Sequence, residues 1–243
     1  LRSYRPEDLI GEPVKEALAR IADKFPKENV DDVIMGCAFP EGTQGMNIAR
    51  IGVYLAGLPY TVPAMTINRF CSSGMQAIAL GAQAISAGYS DVIVAGGVES
   101  MSTVPMGGYN LLPHPGLIVD YPEAYTSMGI TAELVADKYG ITRQMQDEFS
   151  VVSNQRAAAA IKAGRFKDGI VPLQVYDYEK GAMVTFDTDE GPRADTTMEG
   201  LAKLKPAFKT TGTVTAGSSS QVSDGGAAVV LMSEDAVRKY DLA

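Results

Sequence analysis

Short apolar runs alternate with stretches of helical spacing through the first hundred residues of the chain. Val14, Ala17, Leu18 and Ile21 recur at intervals of three and four, which predicts an amphipathic helix after Glu12-Pro13, the proline being suited to a first turn. Val33-Ile34-Met35-Gly36-Cys37-Ala38-Phe39 reads as a buried strand. Ile48, Ile51 and Leu55 mark a second helix, closed by Gly57 and Pro59. The stretch from Tyr60 to Ile67 is short, β-branched and apolar, as a buried strand would be. After it Met75, Ile78, Ala82 and Ile85 define a third helix that stops at Gly88. Asp91-Val92-Ile93-Val94-Ala95-Gly96 is a further short strand. Strands alternating with helices imply crossovers, and hence an α/β fold whose mostly parallel sheet is covered on both faces.

Beyond Glu99 the periodicity fades. Residues 100–127 are rich in Met, Gly, Pro and Tyr, and are too long for an idle connection, so they read as a functional loop or an assembly element. Helices are predicted over 131–139 and 142–164, and strands over 171–175 and 183–186 around a charged turn. Apolar character returns in Ala228-Val229-Val230-Leu231-Met232. The expected organisation is a core domain of residues 1–100 and 206–243, interrupted by an inserted α+β loop domain, 101–205.

Composition narrows the classes of function. With 243 residues, 46% apolar and 21% charged, the chain has ample length for a core. A net charge of −8 disfavours nucleic acid and anionic membranes as partners, while leaving room for a local basic patch on a small anionic ligand. No run approaches a membrane span, and Leu1-Arg2-Ser3-Tyr4-Arg5-Pro6 is no secretory signal. Two cysteines argue against a disulfide scaffold and for a reducing compartment, with the cytoplasm as the expected location and an organelle matrix as the alternative.

Chemistry concentrates at Cys71. The segment Ile67-Asn68-Arg69-Phe70-Cys71-Ser72-Ser73-Gly74-Met75 joins the end of an apolar strand to the start of an Ala-rich helix. A thiol there faces unpaired backbone N–H groups and the positive end of the helix dipole, which suits a nucleophile. A cysteine taken at random is a small core residue; the junction points the other way. The single histidine, His114, lies between two prolines in a turn-rich stretch and reads as a surface residue. A self-contained Cys–His pair, as a cysteine hydrolase would need, is therefore not expected.

Three segments together resemble the thiolase family of acyl-CoA acyltransferases. They are Asn68-Arg69-Phe70-Cys71-Ser72-Ser73-Gly74-Met75-Gln76-Ala77, then Gly96-Gly97-Val98-Glu99-Ser100-Met101-Ser102, then Val214-Thr215-Ala216-Gly217 with Ser220 and Asp224-Gly225. The resemblance implies a thiolase-like fold and a covalent acyl-cysteine at Cys71, whose own backbone N–H meets the thioester oxygen. It implies a pantetheine channel touched by Met128, Phe208, Ala216 and Ser220, and an adenine contact from Arg193. Without the motif Met128 and Phe208 read equally as core, Arg193 as a solvated charge, and Lys203, Lys205 and Lys209 as solvated surface. Coenzyme A would be a substrate, with no permanently bound cofactor and no metal, and a homodimer or homotetramer is implied. Ser127 stands where many biosynthetic members carry His, which leans toward degradation, as in fatty acid β-oxidation.

The sequence departs from the family in two respects. The Gly-His-Pro motif that supplies the base and the Cys-Gly-Gly-Gly motif that moves the substrate proton do not occur in it, and Cys37 reads as a core residue. The family also opens with a strand and a Thr-Pro turn, whereas this chain begins in the helix that follows. The expectation is thus an N-terminal half plus loop domain, with the C-terminal half absent and no turnover by itself. A non-catalytic CoA-binding or assembly half of a split enzyme is the competing expectation.

Overall fold

Three strand–helix alternations form where the spacing predicts them in a computed structural model that describes residues 1–242. In chain order the elements are α1 (Pro6–Ala19), β1 (Asp32–Gly36), α2 (Ile48–Leu55), β2 (Ala64–Ile67), α3 (Ser73–Ser86), β3 (Val92–Ser100), α4 (Pro115–Asp120), α5 (Met128–Tyr139), α6 (Arg143–Lys162), β4 (Leu173–Asp177), β5 (Ala182–Phe186), α7 (Met198–Ala202), β6 (Asp224–Met232) and α8 (Glu234–Lys239). Contacts divide them into two units. One comprises Leu1–Leu111, Val171–Phe186 and the residues from Val222 onward; the other comprises Leu112–Ile170 and Asp187–Gln221.

The first unit is built on a mixed four-stranded sheet in the order β2-β1-β3-β6. β1 runs parallel to β2 and β3, with Gly36 opposite Ile67 on one side and Gly97 on the other, and β6 pairs antiparallel with β3. One face packs against α1 and α2 over Ile10, Val14, Phe25, Met35, Val53 and Val94, a cluster that Ala236 of α8 joins. The other face packs against α3 over Ile34, Ala77, Ile93 and Ala95. Each fully buried Val, Leu or Ile contributes about 1.5–3 kcal/mol, so the larger first cluster carries most of the apolar stabilisation. Both faces are covered, as the alternation requires.

Three details differ from the sequence expectation. Helix α1 starts at Pro6, not at Pro13, which lies inside it; burial of Leu9, Ile10 and Val14 outweighs the backbone hydrogen bond that an interior proline forfeits. In α3 the sheet-facing positions are Ala77 and Gly81, while Met75 is 72% exposed. A methyl group on Gly81 would lie 2.8 Å from Leu231 Cδ1, so only small residues admit the helix this close, and the larger ones move to its flank. β2 is the sheet edge, with Met65 partly exposed, rather than a buried strand.

The unit boundaries also fall differently from the expected domains. The β4–β5 hairpin, with Val175 opposite Val184, groups with the first unit: Leu173 packs on its core and the Ser3 hydroxyl donates to the Tyr176 carbonyl at 3.1 Å. Residues 206–221 group with the second unit, where the buried Glu133 of α5 accepts from Val214 N–H at 2.9 Å and from Thr213 N–H at 2.9 and 3.1 Å. That unit is helical, built from α4 to α7. Its α6 carries an Arg143–Asp147 pair at 2.9 Å.

Candidate active site

Because β1, β2 and β3 are parallel, their carboxyl ends lie together, where open α/β sheets gather chemistry. β2 ends at Ile67, and a single 3-10 turn, Phe70–Ser72, leads into α3. Cys71 sits in the middle of that turn as a free, exposed thiol. The sequence expectation put it in the first turn of the helix; it lies just ahead of it. Phe70 has φ +46°, a left-handed conformation that bulky side chains rarely enter and that costs about 1–3 kcal/mol.

Side chains enforce the turn. Phe70 N–H donates to Asn68 Oδ1 at 2.8 Å, and Asn68 Nδ2 donates to the Ala38 carbonyl at 2.9 Å. Arg69 N–H donates to Ser73 Oγ at 2.8 Å, and the Ser73 hydroxyl donates to the Phe70 carbonyl at 2.6 Å. The Ser72 hydroxyl donates to the Arg69 carbonyl at 2.9 Å, so it does not cap α3 as Ser127 caps α5 and Thr142 caps α6. The first N–H groups of α3 are left without a side-chain cap beside the thiol. Glycines let this corner press onto the sheet: a methyl on Gly36 would lie 2.4 Å from the Ser73 carbonyl carbon and 2.6 Å from Gly74 N.

Behind the turn stands Glu99 of β3. Its carboxyl accepts from Ala38 N–H at 2.7 Å, Phe39 N–H at 3.3 Å and Gln44 Nε2 at 2.7 Å. Gln44 is fully buried and also takes the Ser100 N–H. Cys37 is buried too, its Sγ 3.9 Å from Glu99 Oε1. Burial first, and the Glu99 charge second, push the Cys37 thiol from its ordinary 9.0 up to about 12. The native state therefore holds this proton while the unfolded chain releases it, and stability falls as pH rises from about 9 toward about 12. Urea unfolding at increasing alkaline pH is expected to show a loss of up to about 1.4 kcal/mol per pH unit that Cys37→Ala lessens.

In the second unit two expected contacts adjoin. The Phe208 ring lies over Gly129, where a methyl would come within 2.1 Å of Phe208 Cδ1, and Met128 precedes it, 68% exposed. Ala216 opens the 3-10 turn Ala216–Ser218, and Ser220 follows it, both exposed. Arg193 is exposed; its N–H donates to Asn154 Oδ1 of α6 at 2.8 Å. Its segment reaches that of Ser220, because a methyl on Gly191 would lie 2.2 Å from Gln221 Nε2. His114 is the N-cap of α4, its Nδ1 accepting from Leu117 N–H at 3.4 Å. Ser127 likewise serves as the α5 cap.

Sequence reasoning missed the roles of Asn68, Gln44 and Glu133. Asn68 two residues before a turn is a recognisable signal, since Asn side chains bond their own backbone two residues on. Gln44 in a glycine-flanked loop carries none. Among the described residues no helix is long and apolar enough to cross a membrane, and no three His, Cys, Asp or Glu side chains gather as metal ligands would.

Residues 1–235 match the family described as thiolase, N-terminal domain. The chain is 50% identical to a 3-ketoacyl-CoA thiolase of Bacillus subtilis, over all of this chain and 63% of the relative. It is 51% identical to an acetyl-CoA acetyltransferase of Pseudomonas aeruginosa, over 93% of this chain and 61% of the relative. A beta-ketoadipyl-CoA thiolase of Acinetobacter baylyi is 44% identical, over all of this chain and 64% of its own length. The chain thus spans somewhat less than two thirds of these curated relatives. On the family match and these identities, the chain belongs to the thiolase family.

Proposed function

We propose that Cys71 is the nucleophile of an acyl transfer between CoA thioesters. The observation that carries this reading is an exposed thiol on an enforced turn, next to the uncapped N-terminus of α3. With a 3-ketoacyl-CoA, the Cys71 sulfur attacks the keto carbon and the bond from that carbon to its α-carbon breaks. Acetyl-CoA departs as an enolate that takes up one proton, leaving an acyl-cysteine. Backbone N–H groups at the start of α3, together with the Cys71 N–H just ahead of it, would stabilise the developing oxyanion. The thiol of CoA then takes the acyl group from the sulfur, and the reverse sequence condenses two acyl-CoA molecules.

CoA is a substrate in this reading, not a resident cofactor. Met128 and Phe208 present an apolar surface to the pantetheine arm, Ala216 and Ser220 a polar turn, and Arg193 a guanidinium able to stack on adenine. Residues 100–127 serve assembly into a dimer or tetramer, with Ile118, Val119 and Tyr121 exposed on and just after α4. The chain by itself stops at the acyl-enzyme, because its one histidine caps a helix and its other thiol is buried.

The same two facts favour a second reading, a non-catalytic CoA-binding half. Incubation with acetoacetyl-CoA followed by peptide mapping separates the two. An acetyl group confined to Cys71 is the expected result. A folded chain that binds CoA and carries no adduct would put the non-catalytic reading first.

A further inference from the structure

We infer that Asn68 is a positioning residue for Cys71, anchored through Ala38 to Glu99; the inference rests on the reading of Cys71 as the nucleophile. A continuous run of hydrogen bonds links β3 to the turn. The Glu99 carboxyl takes the Ala38 N–H at 2.7 Å, the Ala38 carbonyl takes Asn68 Nδ2 at 2.9 Å, and Asn68 Oδ1 takes the Phe70 N–H at 2.8 Å. Each member uses the donor or acceptor its neighbour lacks, so the orientation of the Asn68 amide is fixed from both ends. At the far end the bond lands on the one residue of the turn with a left-handed backbone, Phe70, directly before the thiol. Glu99 is itself immobilised by Gln44, which is fully buried.

The physical logic is that of strain held by its surroundings. Phe70 is 65% exposed, and its ring meets only the tilted ring of Phe39 at a centroid distance of 6.4 Å among the aromatic pairs of this structure, so side-chain burial does little to impose φ +46°. Two polar contacts impose it: Asn68 on the Phe70 N–H, and the Ser73 hydroxyl on the Phe70 carbonyl. Phe39 is tied to the same carboxyl, since its N–H also donates to Glu99. One acidic group therefore fixes both the loop after β1 and, through Asn68, the turn that presents the sulfur. Removal of the Asn68 amide lets Phe70 relax to a negative φ and turns Cys71 away from the α3 N-terminus.

The test uses the full chain and needs no acyl-CoA, so a failure to acylate Cys71 leaves it intact. Cys71 is exposed and Cys37 buried, so iodoacetamide alkylation of the native protein reads Cys71. Asn68→Ala is expected to slow that alkylation about fivefold and to raise hydrogen exchange at the Phe70 amide. Asn68→Ser, whose hydroxyl can still accept the Phe70 N–H two residues on but lacks the amide that reaches the Ala38 carbonyl, is expected to restore protection of the Phe70 amide and only part of the alkylation rate. Glu99→Gln should slow alkylation in the native background and change nothing further in the Asn68→Ala background, a coupling that general loss of stability would not produce. Native alkylation and exchange rates in Asn68→Ala would overturn the proposal, as would additive effects in the double variant. If Asn68→Ala fails to fold, Asn68→Ser decides: a protected Phe70 amide with intermediate alkylation would support the proposal, and a freely exchanging Phe70 amide, or fully native alkylation without the Ala38 bond, would count against it.

Discussion

A chain carrying Cys71→Ala is expected to fold, to bind CoA as before, and to carry no acyl group after incubation with acetoacetyl-CoA. The residue is exposed and sits outside the buried clusters, so its replacement should change stability by no more than about 0.5 kcal/mol. The chemistry is another matter. Cys37 cannot substitute, because it is buried and holds its proton up to about 12. Removal of a covalent nucleophile suppresses its step by on the order of a thousandfold or more, which in a mass spectrum is complete loss of the adduct. Adduct formation that persisted on another side chain of the variant would remove Cys71 from the mechanism.

Gly36→Ala should lower stability by about 3 kcal/mol in urea unfolding. The added methyl would meet the Ser73 carbonyl carbon at 2.4 Å and Gly74 N at 2.6 Å. These are backbone atoms at the head of α3 and cannot rotate aside, so the whole helix start must move off β1. Cys71 would move with it, and near-attack geometry lost by about 1 Å lowers reaction about a hundredfold. Gly225→Ala is the control: it lies in β6 of the same sheet with nothing within 4 Å of the added methyl, and should be near neutral. Equal effects at the two positions would show that the tight corner is not what places the thiol.

The order of elements from α1 to β3 and the strand–helix junction at Cys71 are legible in the sequence because both depend on local spacing, whereas the short helices α4 and α7 carry no such period. What escaped it depends on how close two surfaces come. Met75 and Ile78 satisfy a helical period, yet Ala77 and Gly81 face the sheet, because the approach distance admits only small side chains. Pro13 resembles a helix start until the burial of Leu9 and Ile10 is known. Glu99 belongs to a recognisable motif, but its partners Ala38, Phe39 and Gln44 lie some 55 to 61 positions away and converge only when β1 and β3 pair. Of the expected CoA contacts, Met128 and Phe208 adjoin through Gly129, and the segments of Arg193 and Ser220 through Gly191 and Gln221; no local pattern announces such meetings.

The sheet joins segments far apart in sequence, for β6 lies beside β3 and α1 packs beneath β6, where a methyl on Gly226 would come within 2.0 Å of the Leu9 carbonyl oxygen. During synthesis the elements from α1 to β3 leave the ribosome ahead of the second unit, and every residue of that unit must emerge before β6 can arrive. Throughout that interval the outer side of β3 is an unpaired strand edge, and Leu9, Ile10 and Val14 lack part of their cover. Closure by so distant a strand is slow, since the intervening loop must be ordered before its contacts are gained. Until β6 arrives, the open sheet offers an edge on which a second chain could add a strand, so the contact that completes the sheet also removes its aggregation hazard.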